Sequence, residues 1–170
     1  MPPLRDPGLQ TAETPFSVRH NTLLQVFQRS RRPFDVADVA ATIAPVTEAK
    51  TIVDVTNALT AEMQLAVGFT TSGAEELQKK LPKARVVKAF NTQFAQRMDT
   101  GRLGDQPVTV FVAGDDAAAK RDVVDVAKAI GFDPVDAGPL TNARLLEPLG
   151  YLNIQLGYVL GLGTDIGLKL

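Results

Sequence analysis

Short β-branched segments alternate with segments of helical periodicity from Phe34 onward, and this alternation restricts the possible folds more than any other feature. The strand-like segments are residues 51–56, 85–90, 108–113 and 134–137. Strands that alternate with helices through short links are typical of α/β proteins with a mostly parallel sheet. We therefore predict an α/β fold in which helices cover such a sheet.

Polar residues and glycine indicate where the intervening helices begin and end. Ser, Thr, Asp and Asn favour the first position of a helix, and glycine or proline favours its end. On these signals we predict four helices. The first covers residues 35–44 and is ended by Pro45, and the second is opened by the capping box Ser72-Gly-Ala-Glu75 and runs to about Leu81. The third is capped by Asp115 or Asp116 and stops at Gly131, and the fourth is a long helix from about Thr141, capped by that residue or by Asn142.

Composition excludes several classes of function. The 170 residues carry 18 Lys and Arg against 19 Asp and Glu, so we expect neither a nucleic-acid nor a membrane partner. The chain has no cysteine and one histidine, which excludes disulfides, thiolate metal sites and multi-histidine metal sites. Polar residues interrupt its most apolar stretch, residues 145–162, so we predict a buried helix there and a cytoplasmic protein.

Polar residues follow the predicted strands, where α/β sheets usually bind ligands. The amide of Asn57 could donate to and accept from a planar ring or a ribose, although a turn-forming role is an equally good interpretation. Phe90, Asn91 and Thr92 repeat this pattern after the next strand, and the two later strand ends are Gly114-Asp115 and Gly138-Pro139.

Three charged residues are open to structural interpretations. Asp54 lies inside a strand and is predicted to be a satisfied buried carboxylate. Arg144 and Glu147 are three residues apart on a helix and can pair, so a surface ion pair is at least as good an interpretation as a binding role.

The glycines are distributed unevenly, which bears on phosphate binding. Only Gly8 of the 13 glycines precedes Gly68, and residues 9–67 therefore offer no glycine for a close approach to a pyrophosphate. The late run Gly161-Leu-Gly163-Thr-Asp-Ile-Gly167 has its third glycine one position too far along for a dinucleotide fingerprint. We predict that this run ends a helix.

Four segments together resemble a known family. They are TIVDVTNAL, VVKAFNT, the AGDD strand end and DAGPLTNARLLE, and they are similar to the coenzyme F420-dependent NADP reductases over residues 34–170. Wider relatives of that family include the NADPH-binding domain of membrane ferrireductases. The resemblance implies a Rossmann-like, three-layer α/β/α fold and an NADP-dependent oxidoreductase that passes hydride between NADP(H) and a deazaflavin (F420) or flavin.

The resemblance also implies which residues bind the cofactors. Asn57, Phe90, Asn91 and Thr92 would lie beside the two ring systems, and Gly138, Pro139 and Leu140 would form a loop on the far side. No catalytic residue is implied, because the cofactors carry the chemistry. The helix at residues 141–162 would pack in the core and contribute to a homodimer.

The first 33 residues do not match this family, whose members begin with a strand, a glycine-rich turn and a helix. We predict a partly disordered segment there, with residues 23–27 as a remnant strand, and an N-terminally truncated fold in which residues 34–170 form the second half of the reductase domain. An alternative is a non-catalytic remnant that serves as an oligomerisation or binding module. An unpaired strand edge, LLQVF or TIVDVT, would then favour dimerisation by strand pairing.

Overall fold

The computed structural model describes residues 24–26 and 35–170. The segment predicted to be partly disordered, residues 1–33, therefore lies outside the described residues, apart from residues 24–26. Within the described part of the chain, four helices cover the faces of a five-stranded sheet, and two further strands form a small hairpin. The strands are β1 Leu24–Val26, β2 Thr51–Asp54, β3 Arg85–Lys88, β4 Arg102–Leu103, β5 Gln106–Pro107, β6 Thr109–Gly114 and β7 Asp133–Asp136. The helices are α1 Val36–Thr47, α2 Gly73–Lys80, α3 Ala117–Ala129 and α4 Ala143–Ile154, with 3-10 turns at Ala95–Arg97 and Leu140–Asn142 and a π-helical turn at Gln155–Val159.

The sheet has the order β1-β2-β3-β6-β7 and is mostly parallel, as predicted. Strands β1, β2 and β3 run in one direction, and β6 and β7 run together in the other. Gly114, at the carboxyl end of β6, lies opposite Val87, one residue before the carboxyl end of β3. The pairing of β3 with β6 is antiparallel, whereas the other pairings among the described strands of this sheet are parallel.

Two apolar clusters cover the two faces of the sheet, which confirms three layers. Successive side chains of a strand point to opposite faces. Ile52 and Val86 pack with buried residues of α1, α2 and α4, whereas Val53 and Val87 pack with α3. Asp54 and Lys88 share the parity of Ile52 and Val86, so the sequence periodicity places both charges under α2 and α4.

Three of the predicted helix starts are confirmed by their side-chain caps. Asp35 accepts from the Ala37 amide at 2.7 Å, and Asp116 accepts from the Ala119 amide at 2.8 Å. Ser72 accepts from the amide of Glu75 at 3.2 Å, while its hydroxyl donates to that residue's carboxylate at 2.8 Å.

The observed ends of α3 and α1 test the glycine and proline stops predicted from the sequence. Gly131 has a φ of +93° and ends α3 as predicted. Helix α1 runs past Pro45 to Thr47, so the predicted stop at Pro45 is wrong. Pro45 lies in the last turn, where its missing N–H removes one hydrogen bond. The Thr47 hydroxyl supports that turn by donating to the Ala44 carbonyl at 3.2 Å.

The C-terminal glycine run ends a helix, as predicted. Gly161 and Gly163 both have a φ of +75°, a conformation that favours glycine. A Cβ on Gly167 would lie 2.6 Å from Val108 Cγ1, so this glycine allows the last segment to pack on the sheet. In the part of the chain that the structure describes, no helix is long and apolar enough to cross a bilayer.

Candidate functional site

Asn57 and Asn91 hydrogen-bond to each other just beyond the carboxyl ends of two neighbouring parallel strands, β2 and β3. Asn57 Nδ2 donates to the Asn91 carbonyl at 3.0 Å, and Asn91 Nδ2 donates to Asn57 Oδ1 at 2.9 Å. Parallel strands end at the same edge, which is why residues 34 positions apart meet. We call these two residues the asparagine pair.

Helix α4 lies directly on the asparagine pair. Asn91 Nδ2 also donates to the Leu146 carbonyl at 2.7 Å. A Cβ on Gly150 would lie 2.6 Å from Asn57 Oδ1 and 2.7 Å from the Asn91 carbonyl oxygen. Only glycine therefore lets the helix approach the pair this closely without displacing it.

Asn91 Oδ1 is buried and has no hydrogen-bond partner within residues 24–26 and 35–170. The two bonds that Nδ2 makes set the orientation of the amide, so the free atom is an acceptor. A buried acceptor without a donor costs on the order of 1–3 kcal/mol. A ligand that brings an N–H or O–H donor to this atom would recover that cost.

Phe90 and Thr92 support the site through the backbone and the core. Phe90 has a φ of +62°, and its ring packs edge-to-face on Phe132 with centroids 5.6 Å apart. A non-glycine residue in this conformation costs on the order of 1–3 kcal/mol and is typical of functional turns. The Thr92 carbonyl accepts from Asn153 Nδ2 of α4 at 3.0 Å. Both side chains are buried, so neither presents an open surface.

The loop of Gly138, Pro139 and Leu140 follows β7 and is hydrogen-bonded to the carboxyl end of β6. The Gly138 carbonyl accepts from the Gly114 amide at 3.1 Å, and the Leu140 amide donates to Asp115 Oδ1 at 2.9 Å. None of the hydrogen bonds among the described residues joins these three residues to the asparagine pair, so their placement against a cofactor stays a prediction.

The same loop explains why α4 lacks the predicted cap. Asn142 occupies the first position of the helix, but its Nδ2 donates to the Ala137 carbonyl at 2.6 Å. The side chain holds the preceding loop and caps nothing. Asp115 likewise bonds the loop, which leaves Asp116 to cap α3.

Lys88 is the residue that sequence reasoning missed. Its side chain is fully buried, and its ammonium donates to Asp54 Oδ2 at 3.0 Å, to Glu147 Oε1 at 2.8 Å and to the Thr56 carbonyl. Three acceptors satisfy the three N–H groups. A signal was present in the sequence, since TIVD and RVVK each end on a charge of opposite sign and those positions pair in register.

Asp54 is a satisfied buried carboxylate, as predicted. Its Oδ1 accepts from the Thr56 amide at 2.9 Å and from the Thr56 hydroxyl at 2.7 Å. Its Oδ2 accepts from Lys88. Its hydrogen-bond partners are Thr56, which follows β2, and Lys88 of β3, so Asp54 joins β2 to β3.

Glu147 connects this cluster to the start of α2. Its oxygens accept from the Gly73 amide at 3.0 Å and the Ala74 amide at 3.2 Å. The positive end of the helix dipole thus offsets the second buried carboxylate. Burial lowers the pKa of Lys88, but the neighbouring Asp54 and Glu147 carboxylates outweigh it and hold that pKa above its ordinary value. Lys88 is therefore charged across the neutral range.

Arg144 pairs with Glu75 of α2, so the predicted pairing with Glu147 is wrong. Arg144 Nε lies 2.9 Å from Glu75 Oε2, and Nη2 lies 2.7 Å from Oε1. The hydrogen bonds from Arg144 hold the pKa of the Glu75 carboxyl below its ordinary value. Helical spacing brings Arg144 and Glu147 close, but only Glu147 faces the buried lysine.

Proteins of known sequence that resemble this chain include metalloreductases. The chain is 38% identical over 101 residues to Metalloreductase STEAP3 of Rattus norvegicus and 29% identical over 100 residues to Metalloreductase STEAP2 of Homo sapiens. Each alignment covers 59% of this chain, and the two cover 20% and 19% of the metalloreductases, so the chain spans about a fifth of their length. No protein-family profile matches the chain.

Solved structures show the same architecture. A crystal structure from Arthrobacter sp. FB24, of a protein provisionally assigned as an F420-dependent NADP reductase, superposes with a TM-score of 0.72 at 35% identity. The match covers 79% of this chain and 63% of that one. A hypothetical protein from Sinorhizobium meliloti superposes with a TM-score of 0.55 at 27% identity, over 64% of this chain and 55% of that one. The fold of this chain is therefore Rossmann-like, and its similarity is to reductases.

Proposed function

We propose that this chain is the nicotinamide-binding part of an NADP-dependent reductase that passes hydride between NADP(H) and a deazaflavin (F420) or flavin. The observation that carries the proposal is the asparagine pair with its free Oδ1, located beyond the carboxyl ends of β2 and β3. The similarity to proteins named as reductases supports the same activity.

The residues present fit the ring end of such a cofactor. A nicotinamide carries a carboxamide with N–H donors, and Asn91 Oδ1 is a buried acceptor that has none. NADP(H), when bound, supplies or takes up the hydride. The chain's own residues orient the ring through the asparagine pair and exclude water through α4. The preference for NADP over NAD comes from the relatives alone.

Phosphate contacts are not assigned to any residue of this chain. Residues 9–67 contain no glycine, and the described residues offer no glycine-rich turn between a strand and a helix. A cytoplasmic location, a homodimer and the placement of Gly138, Pro139 and Leu140 against a cofactor remain predictions.

Titration with NADPH, followed by nicotinamide fluorescence and thermal shift, tests the proposal. We expect a dissociation constant below about 100 μM, equivalent to roughly 5.5 kcal/mol. Asn91→Ala should weaken binding at least tenfold, because it removes the free acceptor. Lys83→Ala is the matched control, since Lys83 forms an exposed ion pair with Glu48 at 2.8 Å. Turnover with F420, FMN, FAD or a ferric chelate would then identify the electron partner.

A non-catalytic binding module is the second candidate. Strand β1 lies at one end of the sheet order, where a partner strand could pair with it. Absence of any thermal shift at millimolar NADPH would favour this candidate and count against the reductase.

A further inference from the structure

Lys88 forms ion pairs with β2, which leads to Asn57, and with α4, which packs on the asparagine pair. Asp54 ends β2 and lies three residues before Asn57, and Lys88 itself ends β3 three residues before Asn91. Glu147 lies in α4 between Leu146, whose carbonyl accepts from Asn91, and Gly150, which packs on Asn57. One buried ammonium therefore connects every element that contacts the pair.

The energetics of this cluster point away from a purely stabilising role. Taking three charges out of water is costly, and buried ion pairs are often no more stabilising than well-packed apolar groups. A buried ion pair does, however, define geometry closely, because its hydrogen bonds tolerate little change in length. The contacts at Lys88 have lengths of 2.8 and 3.0 Å to the two carboxylates.

We propose that Lys88 and Glu147 are positioning residues for the asparagine pair, and that the length of the Glu147 side chain sets the depth at which α4 packs on that pair. The proposal rests on the proposed function for its link to NADPH. Glu147 reaches from α4 both to Lys88 and to the first amides of α2, so it holds the helix at two points. A shorter carboxylate cannot keep these bonds without moving α4 toward the sheet. Gly150 already lies against Asn57 there.

Glu147→Asp is the decisive variant, because it keeps the charge and removes one methylene. We expect NADPH affinity to fall at least tenfold. In ¹H–¹⁵N NMR spectra, the Asn91 side-chain amide should lose its protection from hydrogen exchange. Glu147→Gln, which keeps the length, should retain more of that protection than the shorter variant does.

Two control variants separate positioning from loss of stability. Val123→Ala removes core volume on the α3 face of the sheet, where the residue is fully buried, and should lower stability without changing NADPH affinity by more than twofold. Arg144→Gln breaks the ion pair with Glu75 one turn earlier on α4 and should likewise stay within twofold.

The proposal is overturned if Glu147→Asp binds NADPH within twofold of the unmodified chain and keeps Asn91 protected. It is also overturned if Val123→Ala weakens binding as much as Glu147→Asp does. If the unmodified chain binds no NADPH, the proposed function fails. The hydrogen exchange of the Asn91 side-chain amide then tests the positioning proposal alone. Protection lost only in Glu147→Asp then supports positioning, and unchanged protection overturns it.

Discussion

At the scale of single residues, the described core holds one buried cation between two buried carboxylates. Lys88 is 0% exposed, while Asp54 and Glu147 are 2% and 1% exposed. The cluster carries one excess negative charge, which the first amides of α2 and the Thr56 donors offset. Every polar atom in it depends on the others, so the loss of one partner leaves a charge uncompensated.

Lys88→Met should therefore destabilise the fold by about 3–5 kcal/mol, because it leaves two buried carboxylates without their cation. Urea unfolding at pH 7 measures the change. Lys83→Met is the control, since Lys83 is exposed, and should leave stability nearly unchanged. A loss below about 1 kcal/mol for Lys88→Met would show that the cluster tolerates an unpaired charge.

Gly150→Ala tests the close approach of α4. Alanine is the better helix former by about 1 kcal/mol, but its Cβ would lie 2.6 Å from Asn57 Oδ1. Overpacking of this kind costs about 1–3 kcal/mol, so we expect a net loss of stability and weaker NADPH binding. Gly68→Ala is the matched control, because its nearest neighbour, Leu65 Cδ1, would be 3.9 Å away. Equal stability and affinity in both variants would contradict the expectation.

At the scale of elements, α2 and α4 are joined by the Arg144–Glu75 ion pair at the surface and by Glu147 beneath it. The surface pair depends on pH. Glu75 has a lowered pKa in the folded chain, so its contribution to stability is present above its ordinary pKa of 4.5 and is lost as pH falls through the folded value.

Arg144→Gln should consequently lower stability only slightly at pH 7, because the arginine is partly exposed and solvent screens its ion pair. The difference from the unmodified chain should shrink as pH falls below 4.5. Urea unfolding of both chains at pH 7 and pH 3 measures it. A difference of the same size at both pH values would mean that Glu75 is not the group responsible.

At the scale of the whole molecule, the two edges of the sheet differ. In β7, the amides of Asp133 and Ala137 point inward to the Val108 and Val112 carbonyls, so position 134 points outward. Pro134 stands there and offers no N–H to another strand, a common protection of sheet edges. The β1 edge has no proline within residues 24–26.

Dimerisation should therefore use the β1 edge, and light scattering at increasing concentration should show a dimer. Consecutive residues of a strand direct their N–H groups to opposite sides. Of Gln25→Pro and Val26→Pro, one removes an N–H that faces β2 and the other removes one that faces away from β2. We expect one variant to stay folded as a monomer. A monodisperse monomer of the unmodified chain at high concentration would contradict strand pairing.

Sequence periodicity predicted the layer architecture, because the buried faces of strands and helices have fixed repeats of 2 and 3.6 residues. It predicted the strands of the main sheet but not the hairpin of β4 and β5, and it predicted the caps Ser72 and Asp116 and the glycine stop of α3, all of which depend on neighbours in the chain. Strand lengths were overestimated: residues 55–56 and 89–90 leave the sheet before the apolar run ends.

What only the tertiary structure decided is which distant residues meet. Asn57 and Asn91, 34 residues apart, meet because β2 and β3 are neighbours in the sheet, and no local pattern encodes that pairing. Glu147 pairs with Lys88, 59 residues away, and not with Arg144, three residues away. The reason is that a buried lysine without a partner costs far more free energy than a solvated arginine without one. The sequence by itself determined the elements and their buried faces. The partners of the charged side chains were decided by desolvation, which exists only once the layers have packed.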